Sequence, residues 1–436
     1  MRELRLKGQG LTALPRAVFD HADTLELLDV SGNALSELPP DLHRFKRLRI
    51  LFASNNRFTE LPRVLGECPA LEMVGFKANA IAHVPAEALP QPLRWLILTD
   101  NAIATLPDSL GQRPRLQKLM LAGNRLATLP DSLRQAPALE LLRIAANQFQ
   151  RLPDWLPALP RLAWLAWGGN PLTAQPEARA LAAASARAIP AEALALGERL
   201  GEGASGVIRA ATWQHAGAHQ AVAVKQFKGR VTSDGWPRSE MAAALAAGAH
   251  ESLVPVLGPV QAGAGPRAQE GGVASGADHD ADDGAHALVL ARLPPGTRAL
   301  AGPPSFDSCT RDVYPPGLRL QASEALALAR QVAGAMARLH ARGLVHGDLY
   351  AHNLLRCGPR AWLSDLGAAA FLPPAQPALH PALRALDVRA FGVLLDEWQA
   401  RTAPAAPPPL AALRARCSAP ADQIDIGFAE IEVMLS

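Results

Sequence analysis

The chain has 436 residues, enough for two or three domains each with its own core, and 49% of it is apolar, with aromatics at only 5%. A formal net charge of +3 is too small to imply a nucleic acid or a membrane surface as partner. Cys68, Cys309, Cys357 and Cys417 stand far apart with no Cys-x-x-Cys pair to suggest a zinc site or a redox centre, so buried or inert thiols are expected. Met1-Arg2-Glu3-Leu4 leads straight into a repeat without an apolar signal core. No apolar run approaches the roughly 18 residues of a membrane span, so a cytoplasmic protein is expected.

From residue 1 to 172 the chain is periodic. Asparagines recur at Asn33, Asn56, Asn79, Asn101, Asn124, Asn147 and Asn170, mostly 23 residues apart, each inside a frame such as Leu25-x-x-Leu28-x-Val30-x-x-Asn33-x-Leu35-x-x-Leu38-Pro39. A first copy, with Gln9 in the asparagine place, runs from Leu4 to Pro15. Leu28 and Val30 alternate as one face of a short strand, and Asn33 is placed to bond backbone left unpaired where the coil turns. One coil cannot bury its leucines, whereas stacked coils share a core. The frame resembles the leucine-rich repeat family, which implies a curved solenoid of about eight repeats with parallel strands lining its concave side.

Strand residues that point away from the core should face that concavity. One column reads Leu27, Ile50, Met73, Trp95, Lys118, Leu141 and Trp164; the next reads Asp29, Phe52, Gly75, Ile97, Met120, Arg143 and Ala166. Contiguous apolar surface of this kind marks a contact site. Ile50, Phe52, Trp95, Ile97, Met120 and Trp164 are therefore read as a surface that holds another protein or the chain's own C-terminal domain. A neighbouring copy or a terminal segment is the alternative cover. Residues 173–193 form an Ala-rich connector or cap helix bracketed by Pro176 and Pro190.

The remaining 194–436 carry a constellation of polar motifs. In Leu200-Gly201-Glu202-Gly203-Ala204-Ser205-Gly206-Val207-Ile208 the glycines are followed by a strand-like run rather than a helix, so they sit in a hairpin whose backbone N–H groups can approach phosphates. Ala221-Val222-Ala223-Val224-Lys225 is a β-rich run ending in lysine, and Glu240 opens a strong helix former that ends at Ala247. Residues 261–286, rich in Gly, Ala and Asp, cannot pack a core and are read as a disordered insertion. A strand over Ala287–Leu290 follows, then a long connection from Pro294 to Gln321, then an amphipathic helix from Ser323 to Arg342 stopped by Gly343. Leu253–Gly258 reads as a further strand. His346-Gly347-Asp348-Leu349-Tyr350-Ala351-His352-Asn353 and Leu363-Ser364-Asp365-Leu366-Gly367 then bring two carboxylates and an amide close in sequence.

Together these motifs resemble the protein kinase family, whose patterns are a glycine-rich loop, V-A-I-K, H-R-D-L-x-x-x-N and D-F-G. The resemblance implies a multidomain α/β plus α+β chain: a solenoid followed by a two-lobed kinase-like domain with a reduced C-lobe. It implies ATP and Mg²⁺ as cofactors. Gly201, Gly203, Gly206, Ile208, Lys225 and Leu290 would surround the nucleotide, Glu240 would pair with Lys225, Asn353 and Asp365 would bind the metal, and Asp348 would take the proton of a Ser/Thr-type hydroxyl, with His346 bracing the loop. Several positions depart from the family pattern. Gly347 replaces an arginine that senses activation-segment phosphate, and Tyr350 replaces a lysine used near the γ-phosphate, so part of the charge neutralisation must come from elsewhere or the rate is low. No Ser, Thr or Tyr lies between Gly367 and Asp387, which excludes switching by activation-segment phosphorylation. Asp387 is expected as the buried carboxylate of the next long helix, and Cys417 to Ile431 resembles the last helix with Asp425 where an arginine belongs. The expected function is an ATP-dependent protein kinase, serine/threonine rather than tyrosine in type, whose repeats recruit a partner or regulate catalysis. The alternatives are a nucleotide-binding pseudokinase scaffold and a small-molecule phosphotransferase. Oligomeric state is left open.

Overall fold

The structure is a computed structural model and describes residues 1–203, 205–228, 231–261, 287–403 and 407–435. The repeats build one parallel sheet of eight three-residue strands in chain order: β1 (Glu3–Arg5), β2 (Leu27–Asp29), β3 (Ile50–Phe52), β4 (Met73–Gly75), β5 (Trp95–Ile97), β6 (Lys118–Met120), β7 (Leu141–Arg143) and β8 (Trp164–Ala166). Short 3-10 turns return the chain on the outer side, several introduced by a proline such as Pro62, Pro107 or Pro130 that presets φ. The asparagines knit the coils together. Asn33 Oδ1 accepts the N–H groups of Gln9 and Leu11 at 2.9 and 3.1 Å, and its amide donates to the carbonyls of Leu6 and Val30, both at 2.8 Å. Asn147 repeats the pattern with Leu126, Leu121 and Ile144 near the other end. Each coil thus satisfies the backbone of its neighbour, which is what a buried turn requires.

Helix α1 (Ala174–Ala184) closes the solenoid, and strand β9 (Ile189–Pro190) follows it. The stretch read from sequence as a connector is therefore built into both halves. Glu177 accepts from Gly169 N–H and Thr173 Oγ1 on the repeat side and from Ser239 Oγ on the far side, at 2.8, 2.7 and 2.9 Å. Strand β9 pairs parallel with Val260 and Gln261 at the edge of a six-stranded sheet.

That sheet contains β10 (Leu194–Glu202), β11 (Gly206–His215), β12 (Ala218–Phe227), β13 (Val256–Gln261) and β14 (Ala287–Ala291), in the order β10-β11-β12-β14-β13-β9. The strand expected over Leu253–Gly258 begins only at Val256, after Pro255, which has no N–H to give a ladder. Gln261, assigned to the insertion by composition, closes β13, and residues 262–286 lie outside the described residues. Helix α2 (Pro237–Ala247) lies between α1 and the sheet, with Met241, Ala244 and Leu245 packed among Ala184 and Leu288.

Below it is a mostly helical part. A two-residue strand β15 (Arg298–Ala299) precedes the central helix α3 (Ala322–Ala341), which begins at a capping box of Gln321 and Glu324 and ends at Gly343, whose φ of +71° is the left-handed stop that glycine adopts without cost. Then come β16 (Leu344–Val345), β17 (Leu354–Cys357), β18 (Arg360–Leu363) and β19 (Ala370–Phe371); β17 and β18 form a hairpin, and β16 pairs with β19. Helix α4 (His380–Gln399) carries Asp387 near its middle. The last helix expected over Cys417 to Ile431 is instead two, α5 (Pro408–Cys417) and α6 (Phe428–Met434), and Asp425 between them pairs with Arg416 at 3.0 Å.

The two halves of the chain share their cores. The solenoid interior continues into Val345, Ala370, Leu372, Leu383 and Leu386, and the helical core takes in Leu141, Ala163 and Trp164 from the repeats. The concave face is thus covered by the chain's own C-terminal half, one of the covers that its apolar columns imply.

Candidate functional site

Four strands set out one row of side chains. Gly201 lies opposite Ile208, Ile208 opposite Lys225, and Lys225 opposite Leu288; two residues along, Ala210, Ala223 and Leu290 form the next row. Residues opposed across antiparallel strands share a face, so Gly201, Ile208, Lys225 and Leu290 lie on one side of the sheet. At Gly201 and Gly203 a Cβ would meet nothing within 4 Å, which leaves the hairpin backbone open to a ligand. Gly206 has the opposite reason: its Cβ would overlap the Gln226 carbonyl oxygen of the adjacent strand.

Helix α2 places Glu240 against the Lys225 ammonium, and Asp365 Oδ1 stands 3.7 Å from the same nitrogen. Burial pushes the Glu240 carboxyl up to about 7, with Lys225 pulling it down and Asp365 pushing it further up. Burial also works against charge on Lys225, but Asp365 and Glu240 outweigh it and raise its pKa. The ammonium is therefore held charged by the carboxylates around it.

Asp348 and Asn353 lie in the loop between β16 and β17, and Asp365 follows β18. Ser364 joins the two segments, since its N–H and its Oγ both donate to the Asn353 carbonyl at 2.9 Å. The Asn353 amide donates to Asp348 O and Oδ2, each at 2.9 Å, which leaves its side-chain oxygen for another partner. From below, Asp387 accepts the N–H groups of His346 and Gly347 at 2.8 and 3.0 Å, and His346 Nδ1 accepts that of Asp348 at 3.2 Å. Asp365 has φ of +52°, a strained setting for a residue with a Cβ and of the kind that collects where geometry serves a ligand. The Cβ that Gly367 lacks would lie 3.1 Å from Asp365 Oδ1, 3.6 Å from Glu240 Oε2 and 3.7 Å from Asp234 Cβ, so three acids converge there.

Two of these groups escaped the sequence reading. Asp234, from a turn tied by Thr232 Oγ1 to Gly235, sits between the acids of the sheet part and Asp348; burial raises its pKa. Arg143 of β7 reaches from the solenoid into the same spot, donating to Asp234 Oδ1 at 2.6 Å, to the Gly347 carbonyl at 3.0 Å and to Asp348 Oδ1. Burial opposes ionisation of Asp348, but Arg143 first, then His352 and His346, hold its carboxyl below the usual range. The available signal was that Arg143 and Lys118 are the basic residues in otherwise apolar or acidic concave columns.

The concave residues divide along the face. Trp164 stacks on Tyr350 at 4.3 Å between centroids and 8° between planes, and its Nε1 donates to Leu349 O at 3.1 Å. Phe52 and Trp95 face Phe306, with centroids 5.5 and 6.4 Å away; Ile50 is buried with Leu27 and Met73, while Ile97 is partly buried and Met120 packs against the helical core. The long connection from Pro294 to Gln321, opaque in sequence, is what fills this concavity. Its Thr310 and Arg311 donate to Glu140, its Cys309 carbonyl accepts from Lys118 at 3.3 Å, and its Asp312 takes both the N–H and Nδ1 of His352, at 2.9 and 2.7 Å.

The fold of the first half and its asparagine ladder define a leucine-rich repeat solenoid. Residues 1–58 and 91–149 match the family described as Leucine rich repeat. Over 92 residues, 20% of the chain, the sequence is 40% identical to leucine-rich repeat-containing protein 58 of Homo sapiens and 39% identical to that of Mus musculus. Over 119 residues, 27% of the chain, it is 30% identical to leucine-rich repeat and calponin homology domain-containing protein 1 of Mus musculus. The chain spans 25% of the length of the first two relatives and 17% of the third. A solved leucine-rich repeat protein of Leptospira interrogans is similar at 28% identity and a TM-score of 0.34, over 39% of this chain and 49% of that one. No helix among the described residues is long and apolar enough to cross a membrane.

Proposed function

We propose that residues 194–436 are an ATP-dependent protein kinase, of the serine/threonine type, working in the cytoplasm where ATP is held. The observation that carries this reading is the meeting of the Lys225–Glu240 pair and Asp365 with the Asp348–Asn353 bracket, through Ser364 and Gly367, beneath a glycine hairpin. The donor set suits the cofactors. Mg²⁺ keeps several waters and takes one or two protein oxygens beside those of phosphates, and Asp365 and the Asn353 side-chain oxygen are such donors. Bound Mg-ATP supplies the transferable γ-phosphoryl group and neutralises charge that builds on it. Lys225, held charged and oriented by Glu240, would pair with phosphate oxygens of the bound nucleotide. Asp348 accepts the proton of the attacking hydroxyl at its carboxylate, and Asp387 keeps the loop in register by receiving two of its N–H groups. The Asp365 side chain is 48% exposed and that of Asp348 17%, so the groove admits ligand from the Asp365 side.

The repeats regulate or complete this unit more directly than they recruit a partner, because their concave face is taken up by it. Incubation of the full chain with Mg²⁺ and labelled ATP, alone and with casein, tests the reading. Label transfer that disappears in both Asp348→Ala and Lys225→Met is expected. Binding of Mg-ATP without transfer would instead favour a nucleotide-binding scaffold.

A further inference from the structure

On the kinase reading, Gly347 and Tyr350 stand at two loop positions where the resemblance implies cations, the second of them near the γ-phosphate. Both are given over to the solenoid. Gly347 has φ of +69°, and a Cβ there would overlap the carbonyl oxygen of Leu165 in β8. No side chain, and certainly no arginine, fits between the loop and the repeats at that point. Tyr350 is buried flat against Trp164 and so points into the seam.

The cation arrives from the other half of the molecule. Arg143 is 2% exposed at its side chain, and it spends its donors on three acceptors around the vacated position: Asp234, the Gly347 carbonyl and Asp348. We propose that Arg143 of the solenoid is the positioning residue of the catalytic base, so that the active centre is assembled from both halves of the chain. The inference rests on the kinase reading and goes beyond it by assigning a repeat residue to the reaction.

The geometry gives Arg143 two tasks. First, it fixes the Asp348 carboxylate: Oδ1 is held by Arg143 and Oδ2 by Asn353, so the plane of the group is set by one contact on each oxygen. A carboxylate has about four acceptor sites, so this bracketing leaves lone pairs for the attacking hydroxyl. Second, it ties the base to the nucleotide side. Asp234 belongs to the turn that leads into α2, the helix that carries Glu240, and one guanidinium spans that turn and the catalytic loop. A planar fork with fixed donors suits such a bridge, and a single ammonium reproduces it only in part.

A releasable clamp would need the same contacts but a loose seam. This seam is not loose. Leu141, Ala163 and Trp164 belong to the helical core, Trp167 Nε1 donates to Phe371 O at 3.1 Å, and Gln376 is held by both backbone groups of Leu152 at 2.8 and 2.9 Å. A Cβ on Gly235 would lie 2.8 Å from that of Ala145, so the turn bearing Asp234 is seated directly on the repeats. An interface with a shared apolar core behaves as a permanent one.

The test uses the full chain with Mg-ATP and casein, comparing Arg143→Gln and Arg143→Lys with the wild type by steady-state kinetics, calorimetric Mg-ATP binding and melting. Removing one preorganised donor at a reacting centre costs on the order of 10²-fold in kcat. We expect that loss in Arg143→Gln with Mg-ATP affinity within about twofold of wild type, and at least a fivefold recovery over it in Arg143→Lys. Turnover in Arg143→Gln at or above wild type overturns the proposal in favour of an inhibitory clamp, and so does a variant that loses Mg-ATP affinity in step with kcat. If Arg143→Gln does not fold, Arg143→Lys decides: reduced kcat at unchanged affinity is expected, and wild-type kcat overturns the proposal. A wild-type chain that binds Mg-ATP but never transfers phosphate sinks the kinase reading itself, a distinct result.

Discussion

The two ends of the concave face have the same repeat geometry and different surroundings. Toward the N-terminus, Leu27, Ile50 and Met73 cluster with Phe52 and Trp95, and Phe306 lies over the last two while remaining 37% exposed. Toward the C-terminus, Trp164 and Leu141 are part of the helical core, and Arg143, Glu140 and Trp167 all bond across the seam. The first region is a surface with a light cover; the second is the wall of a site. Apolar content alone does not separate them. What does is the presence of charged and hydrogen-bonding groups among the apolar ones, since buried polar atoms demand defined partners while apolar ones accept any close neighbour.

Substitutions at the two ends should therefore differ in size and kind. Trp164→Ala removes a fully buried indole, its stack on Tyr350 and its bond to Leu349 O, and should cost about 3–5 kcal/mol, read as a lower melting temperature together with faster amide exchange in 346–353. Unchanged exchange in that loop would mean that the seam does not support it. The Lys225–Glu240 pair supplies a control through pH. Glu240 has a folded pKa of about 7 against an ordinary 4.5, so the folded state binds the extra proton between those values, and stability falls as pH rises through that window. In the ligand-free chain the slope amounts to at most on the order of 3 kcal/mol across the window. Glu240→Gln should flatten the melting temperature between about pH 4.5 and 7; Glu397, also raised to about 7 by burial, leaves a residual slope of the same sign. Phe306→Ala should be mildest, about 1 kcal/mol in the melting transition, because the ring is partly exposed and its ring contacts are with Phe52 and Trp95. A loss as large as that of Trp164→Ala would erase the distinction between the two ends.

How much of this was readable depends on range. The repeats were legible because the asparagine period and the Leu-x-x-Leu frame are local and recur in register. The loop Asp348–Asn353 and Asp365 were legible because one hairpin separates them. Arg143 was not, since its partners Asp234 and Asp348 lie 91 and 205 residues away, and nothing local distinguishes it from a solvated arginine on a strand. The connection from Pro294 to Gln321 failed for a related reason: Phe306, Thr310 and Asp312 have no periodicity of their own and take their conformation from the solenoid face they fill. In Gly347 the sequence did register a missing arginine, but the cause is the Leu165 carbonyl of another domain, invisible from the loop alone.

The asparagine ladder has a mechanical consequence. Its bonds run from each coil to the adjoining one, so within the repeats the solenoid behaves as a row of coupled springs rather than as a block. One end of the row is anchored through Trp164, Trp167 and Arg389, which donates to the carbonyls of Leu159 and Leu162 at 3.1 and 3.3 Å. Toward the other end, Met1 bonds to Thr24 and Arg2 pairs with Glu26 of the next coil. Under heat or tension the row should come apart from the Met1 end one coil at a time, and the coils at Arg143 should be the last to go.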